Sequence, residues 1–120
     1  MKLNINDIGG KIAKQDIRYV VRDNTLLKNL VLSSTRLQPG YSTSGHKHPG
    51  QEEVYYFVEG TGTIELAQKN NINTLRVKPG DVVLIEDGVF HRVHAGADEM
   101  YFVCVFDGTR GHKWKKEYTI

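Results

Sequence analysis

A chain of 120 residues with 16 basic and 14 acidic side chains carries a net charge of only +2. It can bury about two thirds of its unfolded surface around one core, and it has no block of like charge that would grip a nucleic acid or a membrane. No apolar run approaches the ~18 residues of a membrane span, and the opening MKLNINDIGGK lacks the apolar centre of an export signal, so the expectation is a cytoplasmic chain with small-molecule chemistry.

Residues 3–22 hold short apolar pairs separated by polar residues and Gly9-Gly10, which predicts one or two edge strands ending at 18–22, with a turn at Asp23-Asn24. Residues 26–32 and 35–38 read as strands, and Pro39-Gly40 breaks them. After the turn signal Pro49-Gly50, residues 53–58 alternate so that Glu53, Tyr55 and Phe57 share one face. Residues 61–68 and 74–77, separated by Asn70-Asn71, predict a hairpin. Lys78-Pro79-Gly80 leads into a strand at 81–85, and 90–93 and 101–106 supply the last two. The single cysteine, Cys104, lies in the apolar run 101–106, which excludes an internal disulfide and suits a buried thiol. No stretch keeps a helical period. Short strands at intervals of about ten residues, punctuated by Gly, Pro and Asn, predict an all-β sandwich or barrel.

The tail at 112–118 is basic with interleaved aromatics, which suits either RNA stacking or a solvated strand whose Trp114 and Tyr118 cover a barrel or dimer surface. The basic cluster is short and has no support elsewhere, so the second reading is preferred and no nucleic-acid partner is expected.

Chemistry concentrates in two stretches. His46 and His48 stand one residue apart, so on extended chain their imidazoles leave the same face. A turn at Pro49-Gly50 brings a carboxylate within reach, but spacing alone does not choose between Glu52 and Glu53. Residues 80–95 again run glycine, apolar strand, glycine turn and histidine, and His91 can complete a set of three imidazoles and one carboxylate. His94, three residues on, falls on the opposite face of a regular strand, as a solvated, hydrogen-bonded or catalytic histidine. Mixed N/O ligation suits one divalent transition metal (Mn, Fe, Co, Ni, Cu or Zn) and disfavours Ca and Mg. One anionic ligand leaves a net charge of +1, and an octahedral ion keeps two positions for other oxygens; a structural zinc site is more often closed by four ligands.

These stretches resemble the paired motifs of the cupin superfamily. The first, at 40–60, matches residue by residue: Gly40, five residues, His46, one residue, His48, four residues, Glu53, six residues, Gly60. The second, at 80–95, keeps Gly80, Gly88 and His91, but Glu86 stands where the family pattern has a proline and Ala95 where it has an asparagine. The resemblance covers roughly residues 30–107 and implies a single cupin domain over 1–120, folded as a double-stranded β-helix or small jelly-roll barrel. It also implies metal ligation by His46, His48, Glu53 and His91, selecting Glu53 over Glu52.

Small cupins of this kind are similar to mannose-6-phosphate-isomerase-like proteins, so the expected function is isomerisation or epimerisation of a sugar or sugar phosphate. The metal would polarise a carbonyl while a base, sought among Tyr55, His94 and Glu86, takes a proton. Tyr55, Phe57, Phe90 and Val93 are the expected pocket walls. The alternatives are a non-haem iron dioxygenase or lyase, and a non-catalytic module binding a small molecule through its metal. Exposed barrel edges and the family's habit of pairing predict a homodimer in which residues 1–22 or Trp114 take part.

Overall fold

The computed structural model describes residues 1–47 and 50–109; His48 and the tail with Trp114 and Tyr118 lie outside the described residues. Among the described residues there are nine strands and no helix: β1 (Lys11–Gln15), β2 (Tyr19–Asn24), β3 (Leu30–Leu37), β4 (Glu53–Glu59), β5 (Gly62–Gln68), β6 (Asn71–Val77), β7 (Val82–Ile85), β8 (Phe90–Ala95) and β9 (Met100–Asp107). They form two antiparallel sheets, of order β1-β2-β3-β9-β4-β7 and β6-β5-β8. This is the all-β, two-sheet jelly-roll architecture that the sequence predicts.

Alternation decides what lies between the sheets. On β4, Glu53, Tyr55 and Phe57 are buried while Val54 and Tyr56 are exposed, so Glu52 points outward as well. Strand β9 is buried on both faces. Met100, Phe102, Cys104 and Phe106 join the barrel core, whereas Tyr101 and Val103 pack with Ile8 in a second cluster on the outer face. The N-terminal segment is fastened there by the Tyr101 hydroxyl, which donates to the Ile5 carbonyl at 2.8 Å, and by Asn24 Nδ2, which donates to the Ile8 carbonyl at 2.7 Å. Gly60 closes the first motif with φ +76°, at a place where a Cβ would run into the Glu99 carbonyl.

Several element boundaries differ from expectation. Asp23 and Asn24 still pair in β2, and the turn starts at the Asn24 side chain, whose Oδ1 accepts the Leu26 amide at 3.0 Å, a local side-chain turn that prevails over strand propensity. Leu26 and Leu27, expected in a strand, therefore lie in an exposed loop, and β3 runs unbroken from Leu30. The hairpin turns one residue early, at Lys69-Asn70, because Gln68 already pairs with Asn71. Finally, β8 continues past Val93 to Ala95 and carries His94 within the ladder.

One outer surface is apolar. Leu84, Val54, Val105 and Leu32 stand in register across β7, β4, β9 and β3, with Leu84 71% and Val54 41% exposed.

Candidate metal centre

Three elements deliver the site. Glu53 opens β4, paired with Phe106 on one side and Ile85 on the other, and His91 is the second residue of β8, paired with Leu66 of β5. His46 arrives on a segment outside the named strands that forms bridges to β8. The His46 amide donates to the His91 carbonyl at 3.1 Å and the His91 amide to the His46 carbonyl at 3.0 Å. Two residues so paired project their side chains from one face, so both imidazoles enter the barrel.

A glycine makes this possible. Between the Ser42–His94 and His46–His91 bridges the segment advances four residues against three on β8. Gly45, at φ +78°, lies in this bulged stretch; a Cβ there would approach the Phe90 ring to 2.6 Å. The consequence is a change of face: Ser42 goes outward with His94, while His46 goes inward with His91.

His46, Glu53 and His91 are 8%, 3% and 3% exposed, and each offers a ligand atom within 4.8 Å of the others. His46 Nε2 lies 3.4 Å from Glu53 Oε1, and His91 Nε2 lies 3.7 Å from Glu53 Oε2. The imidazole centroids are 4.2 Å apart with the rings inclined at 72°. His91 Nδ1 lies 3.1 Å from the Val89 carbonyl, which can only accept, so that nitrogen carries the proton. In the neutral ring, Nε2 then presents its lone pair to a carboxylate oxygen. Neither His91 Nε2 nor Glu53 Oε2 has a hydrogen-bond partner among the described residues. Two buried acceptors facing each other are costly, about 1–3 kcal/mol each, and a cation held between them relieves both. Burial by itself raises the Glu53 carboxyl, but imidazoles of His46 and His91 that donate a proton or carry charge outweigh it and hold the group down to about 2; where the rings are neutral with lone pairs facing the carboxylate, a bound cation takes over that role. The donor set fits a transition metal.

The three candidate bases are placed differently. Tyr55 sits beside the cluster, its ring 5.4 Å from that of His91 and stacked on Phe102 at 5.6 Å. Burial first, then the charges of Glu53 and Cys104, push its phenol well above the ordinary range, so it is a neutral donor. His94 leaves the other face of β8 and bonds Ser42 and Glu65. Glu86 is exposed in the turn closed by the Val89 amide on its carbonyl at 3.2 Å. The next residue, Asp87, accepts from the Gly50 amide and ties that turn to the loop before β4. Of the expected walls, Phe57 and Val93 are buried inside, but Phe90 alternates with His91 and packs under Gly45 on the outer side.

Two inward polar groups escaped the sequence reading. Gln51 is buried two residues before Glu53, its Nε2 donating to the Asp107 carbonyl at 3.2 Å and its Oε1 without a partner among the described residues. Ser33 is buried opposite Cys104, and its Oγ also has no partner among the described residues. The parity of 51, 53 and 55 signals Gln51; nothing local signals Ser33, whose position depends on the β3–β9 register.

Comparison with known proteins agrees with this geometry. The family described as Cupin domain matches residues 33–106. An oxalate-binding protein of Thermotoga maritima is 28% identical over 98 residues, covering 81% of this chain and 78% of its own. A variant of Bacillus subtilis oxalate decarboxylase superposes with a TM-score of 0.76 at 21% identity over 89% of this chain, which spans only 29% of the decarboxylase. Another structure of that enzyme, TM-score 0.75 at 21% identity over 89% of this chain and 29% of its own, concerns its Mn(II) centres. KdgF of a Halomonas species matches with a TM-score of 0.66 at 19% identity, over 78% of this chain and 84% of its own. At such identities the structural likeness speaks for the fold. The family match, the two-sheet barrel and the buried His-Glu-His cluster together lead to one conclusion: the chain belongs to the cupin family.

Proposed function

We propose that this cupin binds one divalent transition metal through His46, His48, Glu53 and His91 and uses it to hold a small oxygen-donor ligand of carboxylate type. The observation that carries the reading is the buried pair of acceptors, His91 Nε2 and Glu53 Oε2, facing each other at 3.7 Å. The bound metal would supply Lewis acidity and open positions for ligand oxygens. Glu53 cancels one of its two charges, so the centre favours an anion. Tyr55 on β4, Gln51 just before that strand and Ser33 on β3 add buried neutral polar groups. The name of the Thermotoga relative agrees with this ligand class.

Sugar isomerisation has less support. It requires a base beside the metal, and of the three candidates only Tyr55 is there, with its proton held by burial. A metal-dependent binding role needs no such base. We further propose that the apolar row of Leu84, Val54, Val105 and Leu32 contributes to a homodimer contact, alongside the exposed apolar side chains of the N-terminal segment, where Ile8 is buried against its own sheet.

Calorimetric titration of oxalate into Mn(II)-loaded protein tests the functional reading. Binding at one oxalate per metal, lost on chelation and in Glu53→Gln, is expected. Metal-loaded protein that binds none of oxalate, malonate and glycolate overturns it.

A further inference from the structure

The segment 41–46 delivers His46 from outside the named strands: backbone bonds tie Tyr41 to Ala95, Thr43 to Val93 and His46 to His91, and this ladder is interrupted at the bulge around Ser44-Gly45. Side chains add further ties. Thr43 Oγ1 accepts the Val93 amide at 3.0 Å, and the Thr43 carbonyl accepts Arg92 Nε at 2.9 Å. Ser44 Oγ is reached from the other sheet by Arg18 Nη1 at 3.2 Å and by the Tyr19 hydroxyl at 3.3 Å. Ser42 makes the remaining contact, its Oγ 2.6 Å from His94 Nδ1, while His94 Nε2 lies 3.1 Å from Glu65 Oε1. A carboxylate only accepts, so Nε2 carries the proton and Nδ1 accepts the Ser42 hydroxyl. The relay runs Ser42 to His94 to Glu65, from the segment through β8 to β5.

A bulge interrupts this ladder and so weakens its hold on register, and a slip of one residue turns every side chain to the opposite face. Slipped, His46 would leave the barrel interior and the Ser42 hydroxyl would leave His94. We propose that His94 is a positioning residue for His46: through Ser42, and braced by Glu65, it reinforces the backbone register that aims His46 at Glu53. This rests on reading His46 as a metal ligand and adds the device that holds it.

The test compares native protein with His94→Ala, His94→Asn and Ser42→Ala by amide hydrogen exchange without metal and by Co(II) affinity in chelator competition. In His94→Ala the His46 amide, bonded to the His91 carbonyl, should exchange about tenfold faster, while the Phe57 amide, bonded to the Asp81 carbonyl, stays within about twofold. Co(II) affinity should fall about 3- to 10-fold in His94→Ala and in Ser42→Ala, with the double variant no weaker than either single one. His94→Asn, which can still accept the Ser42 hydroxyl, should recover most of both effects. A His46 amide that exchanges as in native protein, or a Phe57 amide accelerated equally, overturns the proposal. Should native protein take up no Co(II), the metal reading fails, and the exchange data alone then decide the positioning role.

Discussion

Glu53 and His46 meet in one cluster but are held there by opposite means. Glu53 stands on β4, paired on both sides by β9 and β7, so its direction follows from continuous sheet. His46 stands on a segment paired with β8 alone among the described residues, through a backbone ladder broken by a bulge near Gly45 and supplemented by the side chains of Ser42, Thr43 and Ser44. The lesson is that one candidate ligand is fixed by unbroken sheet on both sides and tolerates local change, whereas the other depends on a one-sided, interrupted ladder and on the side-chain ties that support it. The two sides should break differently.

The largest effects are expected on the sheet-held side. Glu53→Ala or His91→Ala removes a ligand and should lower metal affinity by more than about 100-fold in chelator competition. Phe57→Ala, which empties a fully buried site one pair beyond Tyr55 on the same strand, should cost about 3–5 kcal/mol in urea unfolding. A loss below ~1 kcal/mol there would show that the β4 face is not core.

Gly45→Ala tests the other side. It forces an ordinary residue to φ +78° against the Phe90 ring, with an expected cost of about 1–3 kcal/mol and a further loss of metal affinity. Gly40→Ala also meets strain at φ +75° but open space, and should leave metal affinity closer to native. Equal affinity losses would mean that the bulge does not aim His46.

The smallest effect concerns the Arg18 tie to Ser44. Asp16 grips the Arg18 guanidinium, with Oδ2 2.8 Å from Nη2, and that hydrogen bond, more than the backbone one, holds the Asp16 carboxyl below its ordinary value of 3.8. A depressed carboxyl adds stability above its unfolded value, which is lost as pH falls through the folded one. Unfolding of native protein and Asp16→Asn should therefore differ slightly near neutral pH and converge as pH drops below 3.8, with high salt shrinking the difference because the pair is exposed.

The same contrast explains what could be read from the sequence. Period-two alternation places Glu53, Tyr55 and Phe57 on one face from 53–58 alone, and the paired glycine–histidine stretches mark His46 and His91. Which way His46 points was not legible, because a bulge changes parity without changing composition. The contact between His94 and Ser42 was hidden for the same reason: they meet only through the register between the segment and β8. Asp23-Asn24 reads as a turn from composition, yet both residues also complete β2, because the Asn24 backbone stays in the ladder while its side chain starts the turn.

The central claim is that the cluster exists to hold a metal, and elemental analysis after reconstitution with Mn, Fe, Co, Ni, Cu or Zn tests it most directly. The account predicts about one ion per chain in native protein and none retained after desalting in His91→Ala. Native protein that takes up none of the six, or His91→Ala that retains as much as native, would contradict it.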